Sequence, residues 1–142
     1  MARFNKSLFF GGAGGSAPLA DVGLLLLRLF AGLALAFGHG INKLPPSEGF
    51  LRGVSNLGFP MPEVFGWAAG LAEFGGGLLL ALGLMTRPAS FFIGCTMAVA
   101  AFGRHAADPF SGKEKALLFL AVAVLYLLAG AGRYSIDALL RR

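Results

Sequence analysis

Two charged residues lie inside long apolar stretches of the sequence. Arg28 follows four leucines, and Glu73 precedes a phenylalanine and three glycines. A charge at the centre of a helix in hydrocarbon costs about 2.5–3.5 kcal/mol. We take Asp21 and Gly83 to mark the same side of the membrane. Arg28 then lies about 10 Å along its helix from Asp21, and Glu73 lies about 15 Å along its helix from Gly83. Antiparallel neighbours would hold them at similar depth, so the sequence predicts an Arg28–Glu73 ion pair. Such a pair would either lock the helix register or contact a proton or substrate.

A second polar group falls toward the opposite ends of the apolar segments. His39 and Lys43 are four residues apart and therefore share one side of a helix. His105 ends the third segment and Glu114 begins the fourth. Because the first and third segments run in the same direction, both histidines approach one end. The sequence thus predicts a polar mouth with the ligand-binding candidates His39, Lys43, His105 and Glu114.

Three interpretations of this mouth stay open. It could bind the headgroup of a quinone or another small ligand, because quinone carbonyls need hydrogen-bond donors such as His39 or Lys43. It could bind a metal or haem through its two histidines. It could also be a solvated rim, with long basic side chains reaching the interface. Two histidines without nearby cysteines form a poor metal signature, so we expect no metal site and disfavour haem. No nucleophile triad, paired catalytic carboxylates or phosphate loop identifies a catalytic residue, and whether the chain is an enzyme stays open.

The composition indicates which elements position these residues. Hydrophobic residues make up 56% of the 142 residues and charged residues only 13%, whereas soluble domains average about 25% charged residues. The 22 glycines would let helices pack closely in lipid. We therefore predict an all-α fold, an integral membrane four-helix bundle with short amphipathic interfacial helices. A helix needs about 20 residues to cross a bilayer. By this measure the predicted spans are residues 19–44, 62–83, 88–105 and 114–131. They belong to one domain over residues 19–142, which follows an interfacial or disordered arm at residues 1–18.

The segments between the spans carry helix signals of their own. From Ser47, a plausible cap, to Gly58, a plausible stop, apolar residues recur at helical spacing. Ser135 could cap a similar short stretch near the end of the chain. Both stretches would lie on the membrane surface. The short turn at 84–87 predicts an antiparallel helical hairpin.

The charge distribution bears on partners and topology. The net charge is +5, but the basic residues sit at segment ends, which favours the lipid bilayer as partner over nucleic acid. Four spans place both termini on one side, and six basic residues against five predict that this side is cytoplasmic. Cys95 is the single cysteine and has no partner for an internal disulfide. Small residues such as Ala98 and Ala101 would face lipid and could support a homodimer.

Six short motifs follow one another along most of the chain. They cover about residues 22 to 140. They are 27–29 (LRL), 37–44 (FGHGINKL), 58–62 (GFPMP), 70–77 (GLAEFGGG), 82–87 (LGLMTR) and 130–137 (GAGRYSID).

In this ordered set the sequence resembles the DoxX family of small four-helix membrane proteins. The resemblance implies a bacterial inner-membrane location. It also implies a link to thiosulfate:quinone oxidoreductase subunits, or to complexes that handle thiols or oxidative stress. The family's recurring polar positions fall on Arg28, His39, Lys43, Glu73 and Arg87 of this chain.

The residues and the resemblance together lead to one functional expectation and two alternatives. We expect a quinone- or redox-associated subunit or accessory of an oxidoreductase system, with a redox protein as candidate partner and a quinone as candidate cofactor. The first alternative is a non-enzymatic scaffold that holds partners at the membrane. The second is a small-solute or metal-handling protein with Arg28 and Glu73 in its pathway.

Overall fold

A computed structural model describes residues 18–141, and every regular element in that range is helical. The predicted all-α class is confirmed for this part of the chain, while the predicted arm, apart from Pro18, lies outside the described residues. Two helices continue into π-helical turns, and the first of these is followed by a 3-10 turn. The elements are α1 (Pro18–Leu35, with π turn Ala36–Gly40 and 3-10 turn Ile41–Lys43), α2 (Glu48–Asn56), α3 (Pro62–Leu82), α4 (Thr86–Val99, with π turn Ala100–Arg104), α5 (Phe110–Ala129) and α6 (Ile136–Leu140).

The longer helices pack against one another in the order α1, α3, α4 and α5, and α5 also touches α1. Glycine makes the α1–α3 contact close. A Cβ atom on Gly32 would lie 2.5 Å from the Gly77 carbonyl oxygen, and one on Gly40 would lie 2.3 Å from the Phe74 nitrogen. Such small-residue contacts are the usual way in which membrane helices approach. The small core behind them contains Leu35, Leu80, Ile93, Met97, Ala123 and Tyr126.

The exterior of this assembly is apolar and its interior is partly charged. Phe30 is 75% exposed and Leu128 is 72% exposed, whereas Arg28 is 2% exposed and Glu73 is fully buried. Large apolar surfaces of this kind are rare on soluble monomers. Hydrocarbon is a suitable surrounding for such an exterior.

Among the described residues, two helical stretches are long and apolar enough to cross a membrane, Pro18–Lys43 and Pro62–Leu82. They match the first two predicted spans. The fourth long helix, α5, carries the charged run 113–115 in its first two turns. Its apolar remainder, 116–129, extends about 21 Å at 1.5 Å per residue, which is less than the ~30 Å of hydrocarbon.

The predicted caps of the short helices are confirmed. The Ser47 hydroxyl accepts a hydrogen bond from the Phe50 amide at 3.3 Å. The Ser135 hydroxyl accepts one from the Ala138 amide at 3.1 Å. Gly58 follows α2 with φ of +85°, a left-handed conformation that glycine adopts without steric cost. Local sequence therefore determines where both short helices begin.

The start of α4 depends on a residue far away in the sequence. Both oxygens of Asp137 accept backbone hydrogen bonds, from Met85 at 2.8 Å and from Thr86 at 2.9 Å. The Asp137 amide in turn donates to the Gly83 carbonyl at 2.8 Å. This arrangement lets α4 begin at Thr86, two residues before the predicted start, because α6 supplies the cap.

Asp137→Ala is expected to lower the free energy of unfolding by about 1 kcal/mol at neutral pH, the usual cost of losing a helix cap. Burial alone would raise the pKa of Asp137, but hydrogen bonds from Thr86 and Met85 and the charge of Arg141 outweigh it and hold that pKa below its ordinary value. A depressed pKa contributes stability above the unfolded value of about 3.9 and loses it as pH falls through the folded value.

Thermal melting of wild type and Asp137→Ala in detergent, from pH 7 down to pH 3, measures this effect. The two curves should converge at the acid end. Glu114→Ala is a matched control, since Glu114 is exposed and makes no hydrogen bond within residues 18–141. A wild-type advantage that persists unchanged at pH 3 would contradict the assignment.

Candidate functional site

Glu73 forms an ion pair with Lys43. Lys43 Nζ lies 2.5 Å from Glu73 Oε1, and the two side chains are 29% and 0% exposed. Glu73 Oε2 is also buried and makes no hydrogen bond within the described part of the chain. The predicted Arg28–Glu73 ion pair is therefore wrong, because a different cation neutralises Glu73.

The helix register explains the change of partner. Gly40 packs against the backbone at Glu73 and Phe74, whereas the Arg28 guanidinium packs against Gly83. The prediction set Gly83 level with Asp21, but Gly83 lies level with Arg28, seven residues further along α1. This difference amounts to about 10 Å of helix, and it places Lys43 rather than Arg28 beside Glu73.

Arg28 instead connects α1 to the C-terminal segment. Its Nη2 donates a hydrogen bond to the Tyr134 carbonyl. Its Nε and Nη1 are buried and make no hydrogen bond to residues 18–141. Nearby, the Tyr126 hydroxyl donates to the Leu24 carbonyl at 2.5 Å, and Asp21 accepts from the Arg133 amide at 3.0 Å. This end of the molecule is held together by polar contacts, and Glu73 is not among them.

His39 lies four residues before Lys43, in the π turn that continues α1. π turns within α-helices frequently occur at functional sites. The half-buried imidazole packs edge-on against Phe119 of α5, with ring centroids 5.8 Å apart. The charges that act on it are those of Glu73, Lys115 and Lys43.

An aromatic ring from α2 completes this end. Lys43 Nζ lies 5.5 Å from the centre of the Phe50 ring, within the range of a cation–π contact. We define the Glu73 site as Glu73, Lys43 and His39, with Phe50 and Phe119 at its edges. It combines an ammonium donor, an imidazole and a buried carboxylate with apolar rings.

The other two residues of the predicted mouth do not join the Glu73 site. His105 Nδ1 lies 2.6 Å from Asp108 Oδ2 in an exposed loop contact. Glu114 is exposed at the start of α5. Residues 18–141 contain no group of three or more His, Cys, Asp or Glu residues arranged to hold a metal. Ala101, expected to face lipid, is fully buried.

Sequence reasoning identified all three residues, but it assigned His39 and Lys43 to the polar mouth and Glu73 to an ion pair with Arg28. The available signal was the glycine at position 40, between His39 and Lys43, which allows α3 to approach α1 there. Sequence reasoning missed Asp137 as a helix cap. It also missed an open hollow of about 290 Å³ beside that cap, distant from the Glu73 site and lined in part by Arg87 and Arg141.

An apolar exterior, glycine-mediated helix contacts and a buried carboxylate paired with a lysine define a small helical membrane protein. The DoxX family matches residues 23–106. The chain belongs to the DoxX family, and the resemblance found in the sequence is confirmed.

Three relatives extend this comparison. "Inner membrane protein YqjF" of Escherichia coli (strain K12) is 31% identical over 132 residues, covering 87% of this chain and 96% of the relative. "Putative oxidoreductase CatD" of Bacillus subtilis (strain 168) is 26% identical over 114 residues, covering 80% of this chain and 83% of the relative. An uncharacterized protein of Haemophilus influenzae is 37% identical over 76 residues, covering 49% and 57%. No solved structure gives a significant match.

Proposed function

We propose that the chain is a multi-pass protein of the bacterial inner membrane and that all four long helices cross it. The printed name of the E. coli relative supports this location. On α4 and α5 the outward side chains are large and apolar, among them Phe92, Phe102 and Leu118. Lys113 and Lys115 reach the interface from the first turns of α5, which compensates for the short apolar length of that helix.

In the proposed topology both termini lie in the cytoplasm, and the loop with His105 and Asp108 lies outside. Labelling of a cysteine placed at Ala106 by a membrane-impermeant reagent tests it, in a Cys95→Ala background. Labelling of intact cells is the expected result. Labelling only after the cells are opened would reverse the orientation.

We propose further that the protein is a redox-associated subunit that binds a quinone headgroup at the Glu73 site. The observation that carries this proposal is the ion pair between Lys43 and the buried Glu73, with Glu73 Oε2 unpartnered among residues 18–141 and the Glu73 charge acting on His39. The CatD relative is named as an oxidoreductase, which agrees in class with this function.

The chemistry of a quinone fits the residues of the Glu73 site. A quinone presents carbonyl oxygens that accept hydrogen bonds, and Lys43 Nζ and an imidazole N–H of His39 are donors. The Phe119 and Phe50 rings offer apolar surface for the headgroup, and the apolar exterior accommodates a prenyl tail. Most ligand sites combine apolar lining with a few polar groups in this way.

Reduction of one quinone to quinol takes two electrons and two protons. In this proposal a partner redox protein supplies both electrons. Glu73 Oε2, which accepts no hydrogen bond from residues 18–141, holds a proton in transit to the headgroup. Lys43, which is partly exposed, connects Glu73 to the aqueous side. The partner, not this chain, holds the redox centre.

Titration of the purified protein with a short-chain quinol analogue tests the proposal. We expect saturable binding by wild type and binding about tenfold or more weaker in His39→Ala and Lys43→Met, since hydrogen bonds to charged groups contribute about 1.5–3 kcal/mol. His105→Ala is the matched control and should bind as wild type does. No binding at saturating quinol, or an equal loss in His105→Ala, would end this proposal.

The scaffold alternative is supported by one feature. The amphipathic helix α2 packs against α3 through one side, with Leu51 near Gly66, and leaves Arg52, Ser55 and Asn56 exposed. Failure of quinol binding combined with reproducible co-purification of one partner would favour this function. The solute-pathway alternative depended on an Arg28–Glu73 pair, and the two residues do not meet.

A further inference from the structure

An open hollow of about 290 Å³ lies between the start of α4, the end of α5 and α6. It is at the Arg28 end of the molecule and shares no residue with the Glu73 site. Its lining contains two arginines, Arg87 and Arg141, and one carboxylate, Asp137. The apolar side chains of Met85 and Leu140 also line it.

The charges in this hollow are not balanced. Both oxygens of Asp137 already accept hydrogen bonds from the amides of Met85 and Thr86. Arg87 donates from Nη2 to the Leu128 carbonyl at 3.3 Å, and Arg141 donates from Nε to the Asp137 carbonyl at 3.1 Å. Each guanidinium is exposed and makes only this hydrogen bond within residues 18–141. The remaining N–H groups of the two arginines are therefore available to an anion.

A hydroxyl also lines the same hollow. Thr86 is buried, and its side chain lies against the Asp137 carboxylate. The donors available to an anion are therefore the two guanidinium groups, which match the acceptor oxygens of a phosphate group because Arg binds phosphate with paired, charge-assisted hydrogen bonds.

We propose that this hollow binds the phosphate of an anionic phospholipid headgroup. The surroundings favour a lipid over free phosphate. Met85, Leu128 and Leu140 are exposed apolar side chains around the two arginines, so acyl chains can continue from the headgroup along the apolar exterior of α5. Basic pockets between membrane helices are known to bind anionic headgroups.

Native mass spectrometry of the detergent-purified protein, titrated with phosphatidylglycerol or phosphatidylcholine, tests this site. We expect wild type to retain phosphatidylglycerol in preference to phosphatidylcholine. The double variant Arg87→Gln/Arg141→Gln should bind phosphatidylglycerol roughly 30-fold more weakly, since each basic residue near an anionic surface contributes about a fivefold effect. A third titration with inorganic phosphate distinguishes a lipid site from a free phosphate site.

The matched control is Arg52→Gln/Arg104→Gln, which removes the same charge from exposed positions outside the hollow. It should retain phosphatidylglycerol as wild type does. Equal loss in both double variants would mean that net charge, not this hollow, attracts the lipid. Equal retention of phosphatidylcholine by wild type, or displacement of the lipid by millimolar phosphate, would also overturn the proposal. If the double variant has a lower melting temperature than wild type, the single variant Arg141→Gln is titrated instead. Its binding of phosphatidylglycerol relative to wild type then decides the outcome.

Discussion

Replacement of Lys43 by methionine is expected to lower the free energy of unfolding in detergent by about 3 kcal/mol. Glu73 is fully buried and Lys43 is its ionic partner. Loss of one partner from a buried pair leaves an uncompensated charge, which typically costs about 3–5 kcal/mol. The lower end of this energy range applies here because Lys43 is 29% exposed, so water still reaches the ammonium group.

A double-mutant cycle separates the pair from other effects of the substitution. Glu73→Gln removes the buried charge, so Lys43→Met/Glu73→Gln should recover most of the lost stability, since neutral replacements for buried pairs are often neutral or stabilising. Lys115→Met serves as control, because Lys115 is exposed on α5 at the same end. Unfolding followed by circular dichroism gives the four free energies. Additive losses in the double variant would show that the two side chains do not interact.

Substitution of Gly40 by alanine is the second large effect, and we expect a loss of about 3 kcal/mol. A Cβ atom there would lie 2.3 Å from the Phe74 nitrogen and 2.7 Å from the Glu73 carbonyl carbon. These are backbone atoms, so no side-chain rotation relieves the clash. Overpacking of a tight contact costs about 1–3 kcal/mol, and here α1 and α3 must separate where the Glu73 site forms.

Gly38 provides a close control in the same π turn. A Cβ atom on Gly38 meets nothing within 4 Å, so Gly38→Ala should leave stability nearly unchanged. Thermal melting in detergent compares the two variants, and quinol titration should show weaker binding in Gly40→Ala alone. Equal melting temperatures for both alanine variants would show that α1 and α3 are not in close contact at Gly40.

The helices and their local ends follow from short-range properties of the sequence. Apolar runs predict where the long helices lie, because their spacing and length reflect the surface that each helix buries or exposes. Ser47 and Ser135 predict caps because a serine hydroxyl reaches an amide three residues ahead. The ordered motifs of the chain likewise carry the resemblance to the DoxX family. The helix and cap signals lie within a few residues of the features that they predict.

Only the tertiary structure decided which distant residues meet. The partner of Glu73 depends on the α1–α3 register, and a register shift of about two turns replaces Arg28 with Lys43 while leaving both helices equally apolar. The Asp137 cap on α4 and the burial of Ala101 likewise depend on packing between elements far apart in the sequence. Hydrophobic periodicity describes which face of a helix is apolar, but it contains no information on how far one helix slides along its neighbour. Contacts between glycines and backbone, such as the one at Gly40, determine that sliding distance and thereby the composition of the candidate site.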